Sequence, residues 1–338
     1  MVLVTGGTGL VGSHLLLQLV LSGTAVRAIY RTPDKLKEVK KVFSYYAEDP
    51  EALCSKIDWV QADILDIPAL EIAFTQIERV YHAAAFISFD PNDFDVLQKT
   101  NVEGTANIVN LCVAHEIEKL CYVSTIGTIG RSLTGTEATE ENEWTGQHTN
   151  VYARTKYGAE MEVWRGSQEN LKVVIVNPGV IIGPGFWDTG SGKLFKTANK
   201  GQSYYPPGGS GFVAVSDVVN AMMALMQSNL AGERYILVSE NLSFKEILTR
   251  VATAINRKPP TKVLKIWQLK VGRYLDFLSH FFTGNERSIT KNTIYSLKNP
   301  EVYSNTKIKE TLQFEFKTLD ETIQFSAARF IREEQHRL

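Results

Sequence analysis

The chain has 338 residues, with 36 Lys and Arg against 37 Asp and Glu and no long run of either sign. That balance argues against nucleic acid or an anionic membrane as the main partner and points to a small molecule. The length predicts two unequal domains, and no stretch reaches the roughly 20 apolar residues of a membrane span. The nearest, 173–182, is broken by Asn177-Pro178-Gly179.

The chain opens on an apolar run of strand type at 1–5. A strand starting there leaves no room for a signal or transit peptide, and we expect a cytoplasmic protein. The three cysteines, Cys54, Cys112 and Cys121, suit neither a disulfide framework nor paired metal-ligand spacing, so a reducing compartment and no metal site are expected. Further strand-like runs at 25–30, 58–61, 79–82, 120–124 and 173–177 alternate with segments at 12–22, 70–77, 100–115 and 152–170. In the latter, apolar residues recur every three to four positions. Such alternation predicts an α/β fold, a doubly wound parallel sheet of the Rossmann kind.

Past Gly179 the pattern changes. Pro/Gly-rich loops at 183–185 and 206–211 precede a helix over 216–227 and a strand over 234–239, and Ser243 with Glu246 forms a capping box for a helix over 243–256. We expect a sheet domain from 1–178 plus about 212–240, and a smaller, mostly helical domain from about 179–211 plus 241–338 to hold a substrate. In the latter, 263–282 sets Ile266, Trp267, Leu269, Tyr274, Phe277, Leu278 and Phe281 among Lys265, Lys270, Arg273 and Asp276. This is the amphipathic pattern of a core helix or a substrate lid.

Directly after the first strand stands Gly6, then Gly7-x-Gly9-x-x-Gly12 with Leu10 and Val11 inside it. Glycines there permit a tight turn, let backbone N–H groups approach a pyrophosphate and let the following helix sit close on the strand. These six residues are the expected cradle of a dinucleotide. The second strand ends in Tyr30-Arg31, without the acid that usually takes an NAD ribose. The Arg31 guanidinium can instead pair with a 2′-phosphate, which favours NADP(H) over NAD(H). Asp63, with Ile64 beside it, can accept from an adenine amino group or cap a turn. Ala83, Ala84 and Ala85 let a cofactor pass over the sheet edge, while His82 before them reads as a packed, hydrogen-bonded histidine.

Tyr152 and Lys156 lie one helical turn apart, downstream of Ser124-Thr125 at the end of a central strand. A phenol with a pKa near 10 exchanges protons poorly at neutral pH unless its anion is stabilised, which the Lys156 ammonium can do. Lys156 can also hold the nicotinamide ribose, and Tyr152, Ser124 and Pro178 are expected beside the cofactor. Tyr303 and Lys307 repeat the spacing with no Ser/Thr-ended strand upstream, so order and context carry the assignment.

Residues 5–12, 82–85, Asn101-Val-x-Gly-Thr105, Ser124-Thr125, Tyr152-x-x-x-Lys156 and Asn177-Pro178-Gly179, in that order, resemble an extended short-chain dehydrogenase/reductase of the NAD-dependent epimerase/dehydratase superfamily. The resemblance covers nearly the whole chain. It implies Tyr152 as acid/base, Lys156 as its partner and Thr125 as the hydroxyl aligned with a substrate carbonyl, with Ser124 as the fallback. It places Asn101 at the active-site edge, where a helix cap is the other reading, and implies a homodimer through the helices near 100–115 and 152–170. Ile126-Gly127 stands where a 4,6-dehydratase would carry an Asp-Glu pair, and Ser210 where many sugar-nucleotide enzymes hold a diphosphate with arginine. No motif places Lys193 or Arg131 as a substitute. Segments 26–31 and 86–93 are similar to the dihydroflavonol reductase-like carbonyl reductase branch. That implies NADPH-dependent reduction of a ketone or aldehyde, often of a bulky apolar small molecule, with Phe86, Ser88, Trp187 and 263–282 as candidate pocket residues. The alternatives are a nucleotide-sugar epimerase retaining NAD(P) and a non-catalytic dinucleotide sensor; the intact Thr125, Tyr152 and Lys156 set argues against the sensor.

Overall fold

The computed structural model describes residues 1–132, 135, 137–283 and 290–337, with the backbone alone at 275, 277–283, 336 and 337. Its strands are β1 (Val2–Thr5), β2 (Val26–Tyr30), β3 (Ile57–Gln61), β4 (Arg79–His82), β5 (Lys119–Val123), β6 (Val173–Pro178), β7 (Val180–Ile182), β8 (Tyr204–Tyr205), β9 (Gly209–Ala214), β10 (Glu233–Leu237), β11 (Glu240–Ser243) and β12 (Lys262–Val263). Seven of them form one sheet in the order β10-β6-β5-β4-β1-β2-β3, every neighbouring pair parallel. The chain winds outward from β1 to β3, then crosses back to β4 and winds the other way. The strand order reverses between β1 and β4, the crevice where open α/β sheets bind ligands.

Alternation along the strands explains why both faces are covered. Val4, Val174 and Val176 bury against the helices Leu10–Leu21 and Val215–Gln227 through Leu15, Leu16, Leu19, Val218 and Met222. Leu3, Val173 and Ile175 turn to the opposite face, onto Leu70, Phe74, Ile108, Cys112, Ala159 and Val163. Those residues belong to the helices Ile67–Phe74, Gly104–Ala114 and Val151–Gln168.

A second core gathers Ile182, Trp187, Phe195, Phe212, Ile247, Val251, Leu319, Ile323 and Phe330. Helices Phe244–Ala254 and Leu319–Arg337 pack there on a small sheet of order β11-β9-β7, and β8 pairs with β12 apart from it. The capping box of Ser243 and Glu246 is present. Residues 209–211, expected in a loop, begin β9. Their glycines serve close strand approach: a Cβ on Gly209 would lie 2.4 Å from the Leu242 carbonyl oxygen, and one on Gly211 2.5 Å from Val238. Helix Thr306–Leu312 lies on β10, with Ile308 buried in the large core and not among the residues of the second one. No helix among the described residues is long and apolar enough to cross a membrane, and none of their His, Cys, Asp and Glu side chains group as a metal site.

Candidate active site

The glycine loop leaves β1 at the crevice. Gly6 has φ +70°, and a Cβ there would strike the backbone of Ala83 and Ala84 at 2.5–2.7 Å. A Cβ on Gly12 would lie 2.1 Å from the Gly6 carbonyl oxygen, so the start of helix Leu10–Leu21 can close on the loop only through glycine. Gly9 is extended, offers no side-chain cap, and no acidic residue occupies the helix's first turn. The first N–H groups of any helix lack intrahelical acceptors and carry its positive dipole end. Neither a side chain nor a carboxylate therefore competes for them here, which fits a pyrophosphate cradled by Gly6, Gly7, Gly9, Leu10, Val11 and Gly12.

Around this loop the expected cofactor residues converge. Arg31 follows β2, largely exposed, 3.8 Å from the Asp63 carboxylate. Asp63 accepts from the Leu65 N–H, the turn-capping role foreseen as its alternative. Ile64 is buried beneath Gly104. Thr5 Oγ1 accepts from the Ala84 N–H at 3.3 Å, which fixes Ala83 to Ala85 beside the loop. His82 is buried with Nδ1 2.6 Å from Thr5 Oγ1 and Nε2 2.9 Å from Thr105 Oγ1. Burial lowers its pKa to about 3 and keeps the ring neutral. Asn101 sits within a π-helical turn, Gln98–Glu103, not at a helix cap. Its side chain accepts from the Phe86 N–H at 2.8 Å and donates to the Phe86 carbonyl and to Thr155 Oγ1. One amide thus ties the segment after β4 to the Tyr152 helix, a site-bordering role that π-turns often serve.

Tyr152 and Lys156 lie on helix Val151–Gln168, started by the Asn150 side chain accepting from Ala153 N. Tyr152 is half-buried. Its ring meets Phe89 edge-on at 5.8 Å, and burial raises its pKa, which holds the phenol protonated. Lys156 is buried and donates to Tyr122 Oη at 2.6 Å and to the Val123 carbonyl at 2.8 Å, which leaves the third N–H of its ammonium. Burial lowers its pKa to about 7, with Glu160 acting the other way. The adjacent hydroxyls after β5 are divided in role. Ser124 is buried and donates to Glu160 Oε2 at 2.6 Å, whereas Thr125 is half-buried and only accepts, from the Gly127 N–H at 3.2 Å. The Thr125 hydroxyl therefore keeps its proton for a further acceptor. Pro178 is buried at the end of β6.

Glu160 did not stand out in the sequence. It falls four residues beyond Lys156, a repeat of the Tyr152-to-Lys156 spacing, and that period is the only signal. On the substrate side, Phe86 is half-buried with its backbone held by Asn101, while Ser88 is buried and accepts from the Asp90 N–H. Trp187 is taken from the pocket into the small-domain core, between Phe195 and Phe330. Of the 263–282 stretch, Leu269 is buried, while Trp267, Val271 and Tyr274 are exposed on helix Ile266–Thr283. Phe277, Leu278 and Phe281 lie outside the residues whose side chains are described. Arg131 is held by the Asn299 carbonyl and Lys193 is exposed. A cavity of about 310 Å³ is lined by Phe89, Pro91, Asn150, Val151, Arg273, Thr290, Lys291 and Asn292. Its wall residue Phe89 is the one packed on Tyr152.

The model of the NAD dependent epimerase/dehydratase family matches residues 2–237. The chain is 31% identical over 276 residues to a Synechocystis sp. protein that carries the name dihydroflavonol 4-reductase, an alignment covering 78% of this chain and 75% of that one. The solved structure of gox2253 superposes with a TM-score of 0.81 at 25% identity, covering 99% of this chain and 98% of the other. That of a UDP-glucose 4-epimerase from Thermotoga maritima superposes at 0.73 and 19% identity, covering 98% and 99%. The chain belongs to the NAD-dependent epimerase/dehydratase family and is an NAD(P)-dependent oxidoreductase of the extended short-chain dehydrogenase/reductase type.

Proposed function

We propose that the protein is an NADPH-dependent reductase of a ketone or aldehyde, with Tyr152 as the proton donor. The observation that carries this reading is a protonated, half-buried phenol beside a cavity, with a buried lysine one turn along its helix. The bound cofactor supplies the hydride. The remaining chemistry falls to the chain: a carbonyl oxygen gains negative charge as it is reduced, and a nearby donor must neutralise it. Tyr152 delivers its hydroxyl proton to that oxygen. Thr125, whose hydroxyl hydrogen is uncommitted, orients the same oxygen. The Lys156 ammonium offsets the phenolate left on Tyr152. Because burial favours the neutral phenol, the arrangement suits donation of a proton, the direction that reduction requires. Preference for NADP(H) rests on Arg31, exposed at the end of β2 where a 2′-phosphate would meet its guanidinium.

A second reading, a nucleotide-sugar epimerase, is favoured by Arg273 and Lys291, two cations on the cavity wall that suit an anionic substrate. The two differ in the fate of the hydride. A reductase oxidises NADPH stoichiometrically, which is followed as loss of absorbance against a panel of aldehydes and ketones; an epimerase isomerises uridine- or thymidine-diphosphate sugars with no net change in cofactor. Tyr152→Phe should keep NADPH binding and lower kcat by on the order of 100-fold or more. Sugar isomerisation without NADPH oxidation would overturn the reductase reading, and full activity of Tyr152→Phe would overturn the role of Tyr152.

A further inference from the structure

Glu160 lies one turn past Lys156 and two past Tyr152, with no exposed surface. A carboxylate so placed persists only when paired and hydrogen-bonded throughout. Its Oε2 accepts from Ser124 Oγ at 2.6 Å, Thr128 Oγ1 at 2.8 Å and Asn177 Nδ2 at 3.1 Å. Its Oε1 accepts from the Arg234 guanidinium at 3.1 Å. Ser124 follows β5, Asn177 lies in β6 and Arg234 in β10, so three adjacent strands are fastened to the Tyr152 helix through one side chain. The same partners clasp Thr125: its carbonyl accepts from Asn177 Nδ2 at 3.2 Å and lies 2.8 Å from Thr128 Oγ1, whose single hydroxyl proton is shared between this carbonyl and Glu160.

We propose that Glu160 is a positioning residue of the reaction, locking the Ser124-to-Thr128 turn that presents the Thr125 hydroxyl and setting a fixed negative charge one turn behind the Lys156 ammonium. This rests on the reading of Tyr152 and Lys156 as acid and partner. Wholly buried, Glu160 acts only through other groups. Lys156 is faced by Tyr122 from β5 and His82 from β4, with Tyr152 one turn before it and Glu160 one turn after it on its own helix and Arg234 of β10 paired with Glu160. Burial holds Tyr122 and Tyr152 protonated and His82 neutral. Glu160 is therefore the charge opposing the burial that pulls the lysine down to about 7.

Glu160→Gln keeps the shape and most hydrogen bonds while removing the charge. In cofactor-free protein carrying 13C-labelled lysine, with the Lys156 signal assigned by its loss in Lys156→Arg, NMR titration should show a Lys156 midpoint about one pH unit lower in Glu160→Gln than in the wild type. Turnover at pH 8 should fall roughly tenfold, in kcat and not in the KM for NADPH, as the charged fraction of Lys156 falls. Arg234→Met unmasks the carboxylate and should move the midpoint upward; should Glu160→Gln not fold, that variant decides alone. A purely structural role would not shift Lys156 in opposite directions. Unmoved midpoints overturn the proposal even where turnover is lost. Midpoints that move as stated support it whatever the substrate, whereas an active Tyr152→Phe counts against the acid assignment and not against this link.

Discussion

The glycine loop can be tested by adding one methyl group at two positions with opposite surroundings. At Gly12 a Cβ would stand 2.1 Å from the Gly6 carbonyl oxygen and 2.7 Å from its carbon, both backbone atoms that cannot swing aside. Gly12→Ala must therefore push the helix Leu10–Leu21 off the loop. Overpacking of this kind costs about 1–3 kcal/mol, or roughly 1–4 °C in Tm for a chain of this size. The displaced N–H groups should weaken NADPH about tenfold or more. Gly9 has φ −99° and ψ 179°, open to alanine, and a Cβ there meets nothing nearer than the Gly6 oxygen at 3.5 Å. Gly9→Ala should keep or slightly raise Tm, by about 0.4–1 kcal/mol of unfolded-state entropy, and still weaken NADPH because the methyl faces the cradle. Differential scanning fluorimetry and NADPH fluorescence titration read the two effects separately. A Gly12→Ala protein with wild-type Tm and affinity would refute the packing argument, and Gly9→Ala with unchanged affinity would refute the placing of the pyrophosphate.

Arg31→Ala should weaken NADPH by about 1.5–3 kcal/mol and leave NADH nearly unchanged, since only the former carries the 2′-phosphate; equal weakening in titrations reduces Arg31 to a surface residue. His82 and His14 are buried, with pKa values lowered to about 3 and about 4. The unfolded chain takes up their protons below about 6.5 and the folded chain does not, so stability falls as pH drops from 6.5 toward those values, by roughly 2 kcal/mol per histidine between pH 7 and 5. Urea melts at the two pH values should show His82→Gln losing about 2 kcal/mol less than wild type across that interval, and an equal loss contradicts the neutral-histidine assignment. Phe330, buried between Trp187 and Phe195, should cost about 3–5 kcal/mol on replacement by alanine, and a single unfolding transition shifted by less than 1 kcal/mol would show that the small-domain core is not coupled to global stability.

The large sheet was legible because its signals are local. Short apolar runs alternating with helix-patterned segments announced β1 to β6, and a strand followed at once by Gly6 to Gly12 marked the loop that a dinucleotide would meet. The short strands β7, β9 and β11 were not legible: β7 and β11 run only three and four residues, and in β9 Gly209 and Gly211 lie where a neighbouring segment nearly touches, while a sequence shows glycine without saying whether a turn or a neighbour demands it. The helix placed Tyr152 and Lys156 together through their four-residue spacing, and Tyr303 with Lys307 shows how little that spacing means alone: there Lys307 pairs with Glu233 at 2.6 Å. Which of Ser124 and Thr125 keeps its hydroxyl hydrogen uncommitted depended on Glu160, and the buried Glu160 is paired with Arg234, 74 residues further along the chain. Neighbours in an extended segment point to opposite sides, so two adjacent hydroxyls cannot both serve one carbonyl, and the choice between them is made by the partner that claims the other. That partner is long-range and charged, the kind of contact for which periodicity carries no mark. A buried carboxylate four residues past a functional lysine is therefore best sought by asking which distant arginine closes over it.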